Sequence, residues 1–178
     1  MKNKIVRFLK RLFWSLEKRA RYDGVIVGEK NRIESYFWSS AEPYLITIGS
    51  HCVLTENTKI YTHGGARVAR GKYPNFDVFG KVVLGDRVYV GSGAQIMPGV
   101  TIGNNVLIAA GSVVTKSIPS NVVVAGNPAR YICSLDEYIE KNLPYNIDSK
   151  SLSQKDKKKL LLSFPDEKFI KKGYIQVP

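Results

Sequence analysis

Aliphatic residues recur at every sixth position along much of this chain. Ile48, Leu54 and Ile60 set the phase, and after an interruption Leu84, Val90, Ile96, Ile102, Ile108 and Val114 continue it without a miss. The next position is often small (Gly49, Gly85, Gly91, Gly103, Ala109), and the fourth place after each holds Cys52, Thr58, Val88, Ala94, Val100, Val106 or Ser112. An amphipathic helix needs apolar spacing of about 3.6 and a half-buried strand about 2, so neither produces this pattern. A six-residue period fits one flat side plus one corner of a triangular coil, stacked as in quasi-one-dimensional repeat proteins. The aliphatic residue points into the prism, the small residue fits near the corner, and polar or glycine positions turn outward. Three hexads make a coil of 18 residues.

Val27-Gly28 and Ile33-Glu34 repeat the phase upstream, so coiling is expected from Asp23 onward, with a distortion between Glu34 and Tyr44. The stretch from Gly64 to Gly80 is too polar and irregular for a coil and reads as a loop thrown out from one corner. Loops of that length in a compact repeat are usually functional or disordered. Residues 18 apart should stack at the roughly 4.8 Å spacing of neighbouring strands. Gly91-Ser92-Gly93-Ala94 then lies against Ala109-Ala110-Gly111-Ser112, Asp86-Arg87 over Asn104-Asn105, and Met97-Pro98 over Lys116-Ser117. The first of these sides is nearly bare, which leaves room along the stack for a long thin ligand or for close subunit packing.

The expected organisation is an amphipathic helix over 1–22, the coil domain over 23–132 with its excursion at 64–80, and a helical extension over 133–178. A chain of 178 residues can bury one sizeable core. With 44% hydrophobic and 24% charged residues it has ordinary globular composition. No stretch reaches the roughly 18 apolar residues of a membrane span. Two separated cysteines, Cys52 and Cys133, point to a reducing compartment rather than a disulfide scaffold or thiolate cluster. The broken apolar run at the amino terminus makes a poor secretory signal. The net charge of +12 is concentrated at the two ends, from Met1 to Arg21 and from Lys141 to Lys172. Such ends suit anionic lipid, nucleic acid or a phosphorylated ligand, and equally suit solvated helix faces.

The segments IGSHCV-LTENTK-IYTHGG and LGDRVY-VGSGAQ-IMPGVT-IGNNVL-IAAGSV-VTKSIP, closed by NVVVAGNPAR, resemble the hexapeptide-repeat acyltransferases. The resemblance runs from about Gly24 to Ile132, and THGG with the loop after it is most like sugar O-acetyltransferases of capsular or lipopolysaccharide synthesis. It implies a left-handed parallel β-helix, a bacterial homotrimer with sites between subunits, acetyl-CoA as co-substrate and a sugar or oligosaccharide acceptor. Carried over by motif, Ser92, Ala110, Thr115, Lys116 and Arg130 are the expected CoA contacts. The Ser92 amide is the matching oxyanion donor. Many relatives carry another basic residue three places beyond Arg130, where this chain has Cys133.

His63 is one of two histidines and stands where the loop departs. Imidazole exchanges protons near neutrality, which suits removal of a proton from an alcohol attacking a thioester. Several capsular relatives have an acidic residue directly after this histidine. Gly64 stands there instead, and Glu42 is the candidate either to orient His63 or to bind the acceptor. Arg67, Arg70 and Asp77 in the loop are candidates to hold a sugar or its phosphate, or are ordinary surface charge. No metal is expected, because His51 and His63 cannot supply the three histidines per site of the zinc enzyme built on this fold.

Ile5, Phe8, Leu9, Leu12, Phe13 and Leu16 recur at helical spacing opposite cations. That stripe suits packing on the protein's own base or another subunit, in preference to peripheral membrane contact with Trp14 at the interface. Helices are expected from Leu135 to Asn142 and from Ser153 to Phe164. Without interleaved aromatics, the lysines at 157–159 make a poor nucleic-acid surface. The composite expectation is a cytoplasmic O-acetyltransferase, with the inner membrane face as a possible station. Antibiotic O-acetylation and a catalytically silent trimeric scaffold are the alternatives.

Overall fold

The computed structural model describes residues 14–38 and 42–176. The chain divides into two compact units, Met1–Leu135 and Asp136–Pro178. In the first, helix α1 (Leu16–Asp23) starts at Ser15, whose side chain accepts a hydrogen bond from the Lys18 amide, and stops at the left-handed Gly24. Most of the expected N-terminal amphipathic stripe lies outside the described residues. Trp14 packs edge-on against Tyr22 at 5.2 Å, with the Lys18 ammonium 4.7 Å from its ring.

Beyond α1 the chain winds as a left-handed β-helix with three sheets for sides. Sheet A holds β1 (Ile26–Val27), β3 (Ile46–Ile48), β6 (Val82–Leu84) and β9 (Thr101–Ile102). Sheet B holds β2 (Arg32–Ile33), β4 (Val53–Leu54), β7 (Tyr89–Val90), β10 (Leu107–Ile108), β12 (Val122–Ala125) and β13 (Arg130–Ser134). Sheet C holds β5 (Lys59–Ile60), β8 (Gln95–Ile96) and β11 (Val113–Val114). Every strand pair is parallel except β12 with β13, which run antiparallel.

Register shows where the hexads hold and where they fail. Leu84 pairs with Ile102, Val90 with Ile108 and Ile96 with Val114, each a step of 18. Between the first two coils the step is three residues longer, with Val27 opposite Ile48 and Ile33 opposite Leu54. The extra chain falls in the expected distortion, which contains a 3₁₀ turn at Pro43–Leu45. At the far end Ile102 bridges Ile118 and Ile108 pairs with Val124, a step two residues shorter. The loss falls at Thr115–Ser117. The expected stacking of Met97-Pro98 over Lys116-Ser117 is therefore incorrect: the β8–β11 register carries Met97 toward Thr115, and the corner then closes early.

All nine residues of the aliphatic phase are 0 or 1% exposed. Each contributes about 1.5–3 kcal/mol of burial, enough together to hold two-residue strands that would not persist alone. The fourth-place residues are buried too, and the polar ones are satisfied: Thr58 Oγ1 donates to the Thr55 carbonyl at 2.9 Å, and Ser112 Oγ accepts from Gly126 N at 3.2 Å. Cys52 is fully buried, and desolvation pushes its thiol up from the ordinary range.

The A–B corner carries a second ladder. Ser50 N donates to Asp86 Oδ1 at 2.8 Å, Asp86 N to Asn104 Oδ1 at 2.7 Å, and Asn104 N to Ser120 Oγ at 2.9 Å. The next residue in each turn, His51, Arg87, Asn105 or Asn121, takes positive φ. His51 is thus a corner residue of a type tolerant of that backbone. Directly before the ladder, a Cβ on Gly85 would stand 2.9 Å from the Gly103 carbonyl carbon, so only glycine allows this stacking distance.

The excursion leaves after Thr62, whose carbonyl accepts from Gly80 N at 2.8 Å, and a His63–Phe79 antiparallel bridge closes its neck. It contains the short helix α2 (Ala66–Ala69). At the other end of the stack the turn at Gly126–Ala129, with a cis Asn127–Pro128 bond, reverses the chain into β13.

From Leu135 onward, α3 (Leu135–Asn142) and α4 (Gln154–Ser163) match the helices expected there. Ser153 caps α4 by accepting from Asp156 N at 3.2 Å, and Pro165 follows its end. Among the described residues no helix is long and apolar enough to cross a membrane.

Candidate active site

Strand alternation aims His63 outward. Ile60 and Thr62 are fully buried, so Tyr61 and His63 fall on the outer face at the C–A corner. His63 Nδ1 lies 2.7 Å from Glu42 Oε2, and Thr62 Oγ1 donates to the same oxygen at 3.2 Å. The longer first step delivers Glu42 to this point just ahead of the 3₁₀ turn. The carboxylate that sequence would seek immediately after the histidine thus comes from the preceding coil. The approach is close enough for an ion pair but lies outside hydrogen-bond geometry, so Nδ1 has no hydrogen-bond partner among the described residues, and Nε2 is the ring nitrogen turned away from the carboxylate. The imidazole is about one-third exposed and opens on a hollow of about 440 Å³ lined by Tyr61, His63, Gly64, Gln95, Met97 and Pro98.

Ser92 and Ala110 occupy the B–C corner, stacked as expected: Gly111 N donates to the Ser92 carbonyl at 2.9 Å, and Ser92 Oγ to Thr55 Oγ1 at 3.2 Å. Within one chain, however, His63 does not adjoin this bare corner. One hexad spans one side, so sheet C separates the two. Thr115 and Lys116 instead share the C–A corner, in the coils beyond His63.

Lys116 and Arg130 come together. They line a hollow of about 350 Å³ with Ser117, Ile118, Pro119 and Tyr131, created where the last coil shortens and β13 doubles back. In the excursion Arg70 and Asp77 approach each other at 3.4 Å, and Arg70 Nε donates to the Phe76 carbonyl at 3.1 Å. That pair braces the loop. Arg67 sits on α2. Sequence reading missed Thr62, although its alternation with Ile60 marks it as inward, and Phe79, which has no periodic signal in an irregular loop. Among the described residues no group of three or more His, Cys, Asp or Glu is arranged to hold a metal.

A triangular coil stack with an imidazole–carboxylate pair at one corner and paired cations at its end defines an acyltransferase of the hexapeptide-repeat class. Residues 81–116 match the family model described as bacterial transferase hexapeptide (six repeats). The chain is 44% identical over 164 residues to Protein CapG of Staphylococcus aureus, covering 87% of this chain and 95% of that one. It is 35% identical to the galactoside O-acetyltransferase of Escherichia coli K12, covering 61% of this chain and 53% of that enzyme. Among solved structures, a Vibrio cholerae hexapeptide-repeat acetyltransferase complexed with acetyl coenzyme A superposes with a TM-score of 0.56 at 31% identity, covering 63% of this chain and 61% of that one. The chain belongs to the bacterial hexapeptide-repeat transferase family, whose acetyltransferases take their acyl group from acetyl-CoA.

Proposed function

We propose that this acetyltransferase carries the acetyl group of acetyl-CoA to a hydroxyl of a sugar or surface-polysaccharide precursor, with His63 as general base and Glu42 holding it. The observation that carries the reading is the 2.7 Å approach of Glu42 Oε2 to His63 Nδ1. A carboxylate there selects the Nδ1–H tautomer and steadies the imidazolium that forms. The acceptor hydroxyl gives its proton to Nε2 as its oxygen attacks the thioester carbonyl. The oxyanion of the tetrahedral intermediate takes a hydrogen bond from the Ser92 amide. Collapse expels the CoA thiolate, which recovers the proton from His63.

A homotrimer is the working form, as is general for this family. Assembly would let the His63 corner of one prism face the bare Ser92–Ala110 corner of its neighbour, two groups that a single chain holds apart. Lys116 and Arg130 then hold CoA phosphates through charge-assisted contacts, with Thr115 beside them. The sugar acceptor is supported by the likeness to the galactoside enzyme. In this reading the coil domain, 23–132, carries the chemistry, the segments 1–22 and 133–178 are extensions of it, and the cytoplasm, where acetyl-CoA is made, is the site of action.

The deciding experiment is thiol release from acetyl-CoA against sugars, oligosaccharides and hydroxyl-bearing antibiotics, beside His63→Ala. Sugar-dependent turnover that falls in the variant is expected. Undiminished turnover in His63→Ala removes the base assignment, and turnover of antibiotics alone replaces the sugar reading.

A further inference from the structure

Phe79 is a large apolar side chain in a place that burial does not explain. The residue is 52% exposed, yet its backbone is fixed by the antiparallel bridge to His63, with the adjacent Gly80 amide bonded to the Thr62 carbonyl at 2.8 Å. The ring centroid stands 5.5 Å from that of the imidazole, the two planes inclined by 52°. A tilted ring at that separation leaves one aromatic face open beside the base. The exposure continues along the loop through Phe76 and Val78, while the solvent-exposed Arg70–Asp77 pair and the Arg70–Phe76 carbonyl bond link its two arms. An exposed aromatic on a braced loop costs solvation without returning packing, which marks it as a contact surface.

The geometry points to Phe79 as the specificity-determining residue for the acceptor: its ring is a platform on which one face of a pyranose stacks, presenting an edge hydroxyl to His63 Nε2. This rests on the sugar-acceptor reading above. A pyranose is amphipathic, with C–H bonds over its faces and hydroxyls around its rim, so it satisfies an aromatic face and an adjacent base at once. A small polar alcohol has no face to offer. Phe79 does not line the hollow that His63 opens on and reaches it only through its contact with the imidazole, while that hollow offers the Gln95 amide and Tyr61 to the rim.

The test compares Phe79→Ala, Phe79→Leu and Phe79→Tyr in the full chain, with the sugar that the wild type turns over fastest. Acceptor KM is expected to rise about tenfold in Phe79→Ala and about fivefold in Phe79→Leu. It should stay near wild type in Phe79→Tyr, with kcat within about twofold and acetyl-CoA KM unchanged throughout. That split marks loss of binding shared by ground and transition state. A fall in kcat at constant acceptor KM would mean that the ring only braces His63, and would overturn the inference. A leucine variant equal to wild type would also overturn it, since apolar bulk would then suffice. Both results leave sugar acetylation standing, whereas a wild type that acetylates no sugar removes that reading and the platform with it. Retained activity in Phe79→Tyr separates a failed fold from a failed contact.

Discussion

Replacing Glu42 by glutamine tests the imidazole–carboxylate pair with little change of shape. Glu42 and His63 stand at ion-pair distance without hydrogen-bond geometry, and if they align as the imidazolium forms, the resulting charge-assisted bond contributes about 1.5–3 kcal/mol. His63 is 35% exposed and Glu42 15%, so solvent screening places this pair in the lower half of that range. At about 1.4 kcal/mol per decade, kcat should fall about 10- to 50-fold in Glu42→Gln, with both KM values little changed. His63→Ala, which removes the base, should cost about 10²–10⁴-fold. Because the carboxylate acts only through the imidazole, the double variant should be no slower than His63→Ala alone. Thiol release at saturating acetyl-CoA and acceptor measures all four proteins, with thermal melts to show that each is folded. Strict additivity in this cycle would refute the coupling. A Glu42→Gln enzyme with wild-type kcat would refute the assignment of Glu42 altogether.

Gly91→Ala should lower stability by about 1–3 kcal/mol, because its Cβ would stand 2.4 Å from Ala110 N, whereas Gly93→Asn, at φ +72 with open space, should change it by less than about 1 kcal/mol. Urea unfolding distinguishes the two. Lys116→Ala and Arg130→Ala should each raise the KM for acetyl-CoA about five- to tenfold and leave acceptor KM unchanged, and added salt should mimic them in the wild type. Cys52 should resist iodoacetamide in the native protein across neutral pH, because burial both shields the thiol and raises its pKa, so the reactive thiolate forms only at still higher pH. Mass spectrometry before and after denaturation reads the labelling.

The hexads made most of this fold legible, because one aliphatic residue every sixth place admits few other interiors. The α4 helix was legible for a similar reason, since Ser153 and Pro165 bracket it in the sequence. What was not legible came from departures in register. Sequence names Glu42 as a candidate to orient His63 but leaves open the choice between that and binding the acceptor, because the two are 21 positions apart and their approach depends on where the extra residues of the first step are taken up. The early closure at Thr115–Ser117 was missed, and with it the hollow shared by Lys116 and Arg130. Hexads count sides, which is why His63 and Ser92 lie one side apart within a chain. Phe79 follows no period, and only the bridge at the loop's neck relates it to His63.

The antiparallel return of β13 bears on the size of the molecule. A parallel coil stack has no internal reason to stop, since each turn offers the next a complete set of backbone donors and acceptors. Left open, such an end would recruit further copies and grow into a fibre. Strand β13 runs antiparallel to β12 and occupies the outer edge of sheet B, where the next parallel coil would otherwise continue. Chain reversal, rather than the repeat, therefore sets the number of coils. A designed insertion of one more 18-residue turn between the excursion and this terminator would lengthen the scaffold while keeping its end closed.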